Sequence, residues 1–244
     1  MRTIRIFQPG SYEVGQSVWL SPEASHHVGV VLRLRANQNL VLFNGTQNEE
    51  YVARIIGLER KKIQVMIEQK NTCALESPCT IHLVQAVAKG DRMEWVVQKA
   101  VELGVASITP VVTQRSAVRL DAERWEKKRH QWEAIAIAAC EQSGRTLIPL
   151  IHPVCDLSTH FAAAHGVQRF ILHTAERYQS FKDLALTRDA IEVLIGPEGG
   201  FDDQELRAAQ QAGYVSMGLG PRVLRTETAA VAVMSILQVL VGDL

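Results

Sequence analysis

The sequence lacks the long run of apolar residues that a membrane span would need. Its longest largely apolar stretch, residues 229–241, is interrupted by Ser235 and Gln238. A helix needs about 20 apolar residues to cross a bilayer. The first ten residues, MRTIRIFQPG, contain no apolar core of a signal peptide. We therefore expect a cytoplasmic protein that has no membrane partner.

Cysteine is also scarce. The chain contains four, at Cys73, Cys79, Cys140 and Cys155. None belongs to a Cys-x-x-Cys pair, and no histidine lies at zinc-ligand spacing from two of them. The sequence therefore predicts buried free thiols in a reducing compartment and no metal site.

The chain has no excess of charge of either sign, because 26 Lys and Arg residues balance 26 Asp and Glu residues. A total of zero excludes a uniformly basic coat that binds nucleic acid without specificity, but it allows a local basic face. Residues 1–72 hold nine basic and six acidic residues, a charge of +3. Residues 73–244 hold 17 basic and 20 acidic residues, a charge of −3. The two parts of the chain therefore differ in the sign of their net charge.

The first part of the chain, residues 1–72, is predicted to be mostly β-structure. Five short runs are rich in Val, Ile, Leu and aromatic residues, at positions 2–7, 17–20, 39–43, 51–56 and 63–67. Asn44-Gly45 favours the positive φ of a hairpin turn. Ser21 and Pro22 can begin one helix, whose apolar side would include Val28 and Val31. This pattern predicts a small barrel or a curled sheet.

In residues 73–244, strands and helices alternate. The predicted strands are residues 81–87, 107–112, 169–174, 191–195 and 215–219. Two helices begin with the spacing of a capping box, Asp91 with Glu94 and Asp202 with Glu205. A last apolar helix spans residues 226–241. This alternation predicts an α/β domain with a parallel sheet covered on both faces.

Ligands of open α/β sheets bind beyond the carboxyl ends of the strands, and three of these ends are unusual here. His173 lies at the end of one strand, and glycine-containing loops at residues 196–200 and 218–229 follow two others. Glycine lets the backbone approach a flat ligand closely. One such loop alone would be interpreted as a simple turn.

Charged residues within the two loops favour a binding site over simple turns. Glu198 lies in the first loop, and Arg222, Arg225 and Glu227 lie in the second. A charge at an apolar junction is costly unless it is paired or used. The common nucleotide motifs are absent, because no Walker loop occurs and Gly218-x-Gly220 is not followed by a third glycine.

Basic residues recur at the ends of predicted elements, where proteins often bind phosphates. Each alone is more simply a solvated surface charge. As a set they are candidates for binding phosphates: His26, Arg33, Arg35, Lys89, Arg92, Arg115 and Arg145.

The chain resembles the RsmE family of 16S ribosomal RNA uridine N3-methyltransferases, of the SPOUT superfamily, in several sequence blocks and in their order. The match runs nearly end to end. The blocks are HH (26–27), VLR (31–33), KGDRMEWVVQKA (89–100), ELGV (102–105), RS (115–116), EQSGR (141–145), IGPEGGF (195–201) and LGPRVLRTETA (219–229). Val101 departs from the expected threonine.

The resemblance implies a PUA-like, RNA-binding β-barrel in residues 1–72 and a methyltransferase domain in residues 73–244. The sheet of that domain would be tied in a trefoil knot. It also implies a homodimer that methylates one uridine of 16S ribosomal RNA near the decoding region, within the small ribosomal subunit. The candidate phosphate-binding residues named above would bind RNA from one face of this dimer. The cofactor would be S-adenosylmethionine. Its binding residues would be Leu172, His173, Gly196, Pro197, Glu198, Gly199, Gly200, Leu219, Gly220, Leu224, Thr228 and Ala229.

Methylation of uracil N3 requires loss of the N3 proton. A general base, or a cation that stabilises the uracil anion, could assist this loss. Our candidates for the base are Glu198 or Glu227, and those for the stabilising cation are Arg222 or Arg225.

Two alternatives stay open. Another SPOUT methyltransferase could act on a ribose 2′-hydroxyl or a guanine, although the N-terminal barrel and the EQSGR block favour the uridine family. A non-catalytic RNA-binding assembly factor is a different class, and the intact glycine loops argue against it.

Overall fold

A computed structural model describes residues 3–60, 62–162, 167–173, 181 and 184–244. The chain forms two compact units. The first contains Met1–Glu76 and Cys140–Ile148, and the second contains Ser77–Ala139 and Pro149–Leu244. The division thus follows Glu76 rather than residue 72. The return of a late segment to the first unit was not predicted.

The first unit contains a five-stranded sheet. Its strands are β1 (Arg5–Phe7), β2 (Ser17–Trp19), β3 (Asn39–Phe43), β4 (Glu49–Glu59) and β5 (Lys62–Thr72), in the order β1-β3-β4-β5-β2. The β1–β3 pair is parallel and the other pairs are antiparallel. Alternate residues are buried over part of β4 and β5, namely Tyr51, Ala53 and Ile55 in β4 and Ile63, Val65 and Ile67 in β5. This alternation places the core on one side of the sheet.

The predicted first helix is present, but it is short. The Ser21 hydroxyl accepts a hydrogen bond from the Ala24 amide at 3.1 Å, and α1 spans Pro22–His26. A π-helical turn, His27–Val31, follows it. Val28 is fully buried, whereas Val31 is 60% exposed, so the prediction that both lie on the apolar side is wrong for Val31. The wider π turn offsets the 3.6-residue periodicity on which that prediction relied.

Arg145 lies inside the first unit. Its side chain is 7% exposed, and Nη2 lies 2.6 Å from Glu76 Oε2. The Arg145 carbonyl also accepts a hydrogen bond from Arg5 at 3.3 Å. A buried, paired guanidinium is not available to phosphates, so the predicted RNA contact of Arg145 is not supported. We assign this residue a structural role in joining segment 140–148 to the first unit.

The second unit contains a parallel sheet. Its strands are β6 (Ile81–Ala86), β7 (Ser107–Val112), β8 (Leu150–Ile151), β9 (Cys155–Asp156), β10 (Gln168–Leu172), β11 (Ile191–Ile195) and β12 (Val215–Met217). The order is β12-β10-β11-β6-β7-β8, and β9 also pairs with β7. All five residues of β11 are buried, as expected of a strand covered on both faces. Thr174, the last residue of a predicted strand, lies outside the described residues.

Five helices accompany this sheet in the described part of the chain: α2 (Arg92–Glu102), α3 (Ala122–Ser143), α4 (Leu157–Ala162), α5 (Asp203–Gln211) and α6 (Thr226–Val241). The Asp202–Glu205 capping box at α5 is confirmed. The predicted capping box at α2 is wrong, because Asp91 has helical backbone angles and its side chain caps no amide. Capping requires a residue with extended backbone angles.

The four cysteines are free thiols, and three of them are buried. Burial raises the pKa of the Cys140 thiol to about 11, so this group stays protonated and unreactive. Within the residues described above, no helix combines the length and the apolar character needed to cross a membrane.

Candidate active site

Three segments meet at the carboxyl edge of the second sheet. Two are the loops after β11 and β12, and the third segment is described only as far as His173 at the end of β10; these strands are neighbours in the sheet order. Together they line a cavity of about 570 Å³. This volume lies within the range of small-molecule sites, and the position is the one that open α/β sheets use for ligands.

Most of the predicted cofactor-binding residues line this cavity. They are Leu172, His173, Gly196, Pro197, Glu198, Gly199, Gly200, Leu219, Gly220, Leu224 and Ala229. Thr228 is outside the lining and is exposed. Ile195, Phe201 and Met217 also form the wall, although sequence reasoning did not select them. Their position at strand ends, beside the glycine loops, was the signal that could have identified them.

The loop after β11 makes a tight turn over the side chain of Phe201. The Gly200 amide donates to the Pro197 carbonyl at 2.9 Å, and Gly200 has a φ of +67°. A Cβ atom at Gly196 would lie 3.0 Å from the Phe201 ring. Gly196 therefore lets the backbone pack against the ring, and Gly200 supplies the left-handed turn.

A buried chain of hydrogen bonds attaches this loop to α6. The Thr226 hydroxyl donates to the Gly196 carbonyl at 2.7 Å, and it accepts from Gln85 Nε2 at 2.9 Å. Gln85 is fully buried in β6, and Thr226 is 5% exposed. The loops after β11 and after β12 are thereby joined to each other and to β6. Sequence reasoning missed Gln85, because a single amide within an apolar strand forms no motif.

Glu198 is held by the start of α2. Its Oε1 accepts hydrogen bonds from the Lys89 amide at 3.2 Å and from Arg92 Nη1 at 2.7 Å. Burial alone would raise the pKa of Glu198. The hydrogen bonds from its own amide, from the Lys89 amide and from Arg92 outweigh this and lower the pKa below its ordinary value. Glu198 is thus an engaged carboxylate and a weak base.

Glu227 lies behind the cavity rather than on its wall. Its Oε1 is 3.7 Å from Arg92 Nε, and its side chain is 16% exposed. Its Oε2 is buried and has no hydrogen-bond partner among the described residues. Arg92 therefore lies between two carboxylates, one on each glycine loop.

Arg222 and Arg225 line the cavity and are exposed. In the described ranges, neither forms an ion pair with a carboxylate. The structure thus brings three of the four predicted catalytic residues to the cavity wall, namely Glu198, Arg222 and Arg225. The two guanidinium groups are free to meet an anionic group there.

Two family models match the chain in consecutive stretches. The RNA methyltransferase PUA domain matches residues 20–68, and the RNA methyltransferase domain matches residues 75–238. The ribosomal RNA small subunit methyltransferase E of Buchnera aphidicola subsp. Schizaphis graminum is 33% identical over 243 residues. This alignment covers 100% of the present chain and 98% of the relative. The chain belongs to the methyltransferase E family.

Comparison with solved structures shows that the similarity includes the fold. A methyltransferase of Legionella pneumophila, solved with bound SAM, has a TM-score of 0.97 and 47% identity, with 100% of both chains covered. The methyltransferase E of Neisseria gonorrhoeae, bound to S-adenosyl methionine, has a TM-score of 0.92 and 36% identity, with 99% of both chains covered. The resemblance expected from the sequence blocks is confirmed, as are the parallel α/β domain and the PUA-like first unit.

The predicted RNA-binding residues of this family member fall into two groups. His26, Arg33 and Arg35 are exposed in the first unit, and over the part of the chain that the structure describes neither arginine is paired with a carboxylate. In the second unit, the Arg92 side chain and the Lys89 backbone amide contact Glu198, while the Lys89 side chain is exposed. Arg115 Nη1 donates to the Gly199 carbonyl at 3.0 Å.

Proposed function

We propose that this protein transfers a methyl group from S-adenosylmethionine to N3 of one uridine in 16S ribosomal RNA, near the decoding region of the small ribosomal subunit. The observation that carries the proposal is the cavity between two glycine loops, with the guanidinium groups of Arg222 and Arg225 on its wall. Neither guanidinium is paired with a carboxylate of the residues that the structure describes. The relatives named methyltransferase E support the same reaction class.

The residues of the cavity fit the proposed cofactor. At Gly200 no atom lies within 4 Å of the place that a Cβ atom would take, so the backbone there can approach a flat adenine ring closely. Ile195, Phe201 and Met217 give the wall the apolar character that is typical of small-molecule sites. S-adenosylmethionine supplies an electrophilic methyl group on a positively charged sulfur when it is bound.

The side chains of the chain would act mainly by position and charge. Methyl transfer needs a close, in-line approach and little covalent assistance, so positioning by the cavity loops supplies the main contribution. As the N3 proton leaves, negative charge develops on the uracil ring, and Arg222 and Arg225 are placed to stabilise it. We assign no proton-accepting role to Glu198, because its pKa is lowered, or to Glu227, because it does not reach the cavity wall.

RNA recognition is assigned to the first unit. His26, Arg33 and Arg35 present exposed polar or charged side chains, and such groups bind phosphates. This assignment agrees with the net charge of +3 over residues 1–72, which hold nine basic and six acidic residues.

We also propose the homodimer and the trefoil knot that the resemblance implies. Val239 and Leu240, near the end of α6, are 65% and 43% exposed, and the terminal Leu244 is 66% exposed. Apolar groups at such a surface support self-association. Sedimentation equilibrium would test this, since a monomer at micromolar concentration would contradict the dimer.

Mass spectrometry of ribosomal RNA nucleosides tests the function in the cell. A strain that lacks this protein should lose one 3-methyluridine from 16S ribosomal RNA, and expression of the chain should restore it. Loss of a methylated ribose or guanine instead would indicate another SPOUT target. An unchanged nucleoside profile would favour the assembly-factor alternative.

A further inference from the structure

Hydrogen-bond donors hold the glycine loop after β11 from two sides. On one side, the Lys89 amide and the Arg92 side chain both bind Glu198 Oε1, at 3.2 and 2.7 Å. On the other side, Arg115 Nη1 binds the Gly199 carbonyl at 3.0 Å. Two consecutive loop residues are thus attached to the start of α2 and to the segment after β7.

Arg92 also extends to the second glycine loop. Its Nε lies 3.7 Å from Oε1 of Glu227, in the first turn of α6. The other oxygen of that carboxylate is buried and has no partner among the described residues. One planar guanidinium therefore connects the loop after β11 with the first turn of α6, and the fork of an arginine suits this better than a lysine ammonium does.

We propose that Arg92 is a positioning residue for the cofactor. It fixes Glu198, and through Glu198 it holds residues 197–200 in the shape that receives S-adenosylmethionine. The proposal rests on the proposed function for the identity of the cofactor. It replaces the prediction that Arg92 binds RNA, because the guanidinium is already engaged within the cavity wall.

Action through Glu198 has a distinctive thermodynamic signature. If Arg92 contributes only by holding Glu198, loss of either side chain releases the same loop. The two losses should then not add, as expected for residues that act as one unit. If Arg92 instead contacts the cofactor directly, the two losses should add.

The test is a double-mutant cycle on the full-length protein, with S-adenosylmethionine affinity measured by calorimetry. Arg92→Met and Glu198→Gln should each weaken binding by about tenfold, the lower end for a charge-assisted contact that is partly exposed. The double variant should bind as each single variant does. Arg124→Met is the matched control, because Arg124 pairs with Asp121 on an exposed surface and should leave the affinity unchanged.

A second readout needs no cofactor. Amide hydrogen exchange at residues 199–201 of the ligand-free protein should be faster in Arg92→Met than in wild type, and should be unchanged in Arg124→Met. Arg92→Lys should give an intermediate exchange rate and affinity, because it keeps the charge and loses the fork.

Two results would overturn the proposal. Additive losses, about a hundredfold in the double variant, would mean that Arg92 acts on the cofactor independently of Glu198. Unchanged cofactor affinity with weakened RNA binding would restore Arg92 as an RNA contact. Failure of the proposed function is a separate outcome. If the wild-type protein binds S-adenosylmethionine but methylates a different nucleoside, the double-mutant cycle on cofactor affinity can still be measured.

Discussion

Replacing Thr226 with valine removes a buried hydroxyl group that serves two partners at the edge of the cavity. The hydroxyl donates to the Gly196 carbonyl at 2.7 Å and accepts from Gln85 Nε2 at 2.9 Å. Valine has nearly the same shape, so the change isolates the hydrogen bonds from the packing. Gln85 keeps its bond to the Ala86 carbonyl, whereas the Gly196 carbonyl loses its side-chain donor.

The expected cost follows from these two bonds. Each buried hydrogen bond contributes about 1 kcal/mol, so Thr226→Val should lower the free energy of unfolding by about 2 kcal/mol. In a unit of this size, that change lowers Tm by roughly 4–8 °C. Thr226→Ser keeps the hydroxyl and serves as the control.

Urea denaturation and thermal melts of the two variants give the comparison, and calorimetry adds the cofactor affinity. Thr226→Val should be less stable than Thr226→Ser and should bind S-adenosylmethionine more weakly, because residues 196–200 lose their attachment to α6. Equal stability and affinity in the two variants would refute the assigned role of the hydrogen-bond chain.

Three further predictions concern charge. Arg222→Met or Arg225→Met should lower kcat for methylation by about a hundredfold, with little change in cofactor affinity. The reason is that a group that stabilises developing charge acts in the transition state. Unchanged kcat in both single variants and in the double variant would contradict this role. Arg33→Met and Arg35→Met should each reduce the slope of log RNA affinity against log salt concentration by about 0.7, the value for one lost contact to a single strand; an unchanged slope in filter-binding titrations would remove these residues from the RNA surface. The pKa of Glu198 is lowered, because backbone amides and a guanidinium outweigh the effect of burial. Its contribution to stability is therefore present above the ordinary pKa of Glu and is lost as the pH falls through the folded-state pKa. Wild type and Glu198→Gln should differ in urea midpoint at pH 7 and converge only after the pH has fallen below the ordinary pKa of Glu; a difference that does not change with pH would contradict this.

The elements with nearly continuous apolar sequences could be predicted closely. Ser107–Val112, Ile191–Ile195 and Thr226–Val241 match their predicted bounds. Their sequences are nearly continuous apolar runs that end at glycine or polar residues, so the signal is local. The cavity loops could be located for the same reason, since they directly follow such strands.

Features that depend on distant pairing could not be predicted. The Arg145–Glu76 ion pair joins residues 69 positions apart and brings segment 140–148 into the first unit. Before the fold was known, Arg145 could not be distinguished from a surface cation. The same is true of Arg92, whose partners Glu198 and Glu227 lie more than a hundred residues later in the chain.

The most direct test of the central claim is methylation by the purified protein. Small ribosomal subunits from a strain that lacks it would be incubated with labelled S-adenosylmethionine, and the 16S ribosomal RNA would be digested and separated by mass spectrometry. We expect the label in a single 3-methyluridine from the decoding region. Label in a ribose or guanine, or no label in RNA, would contradict the claim.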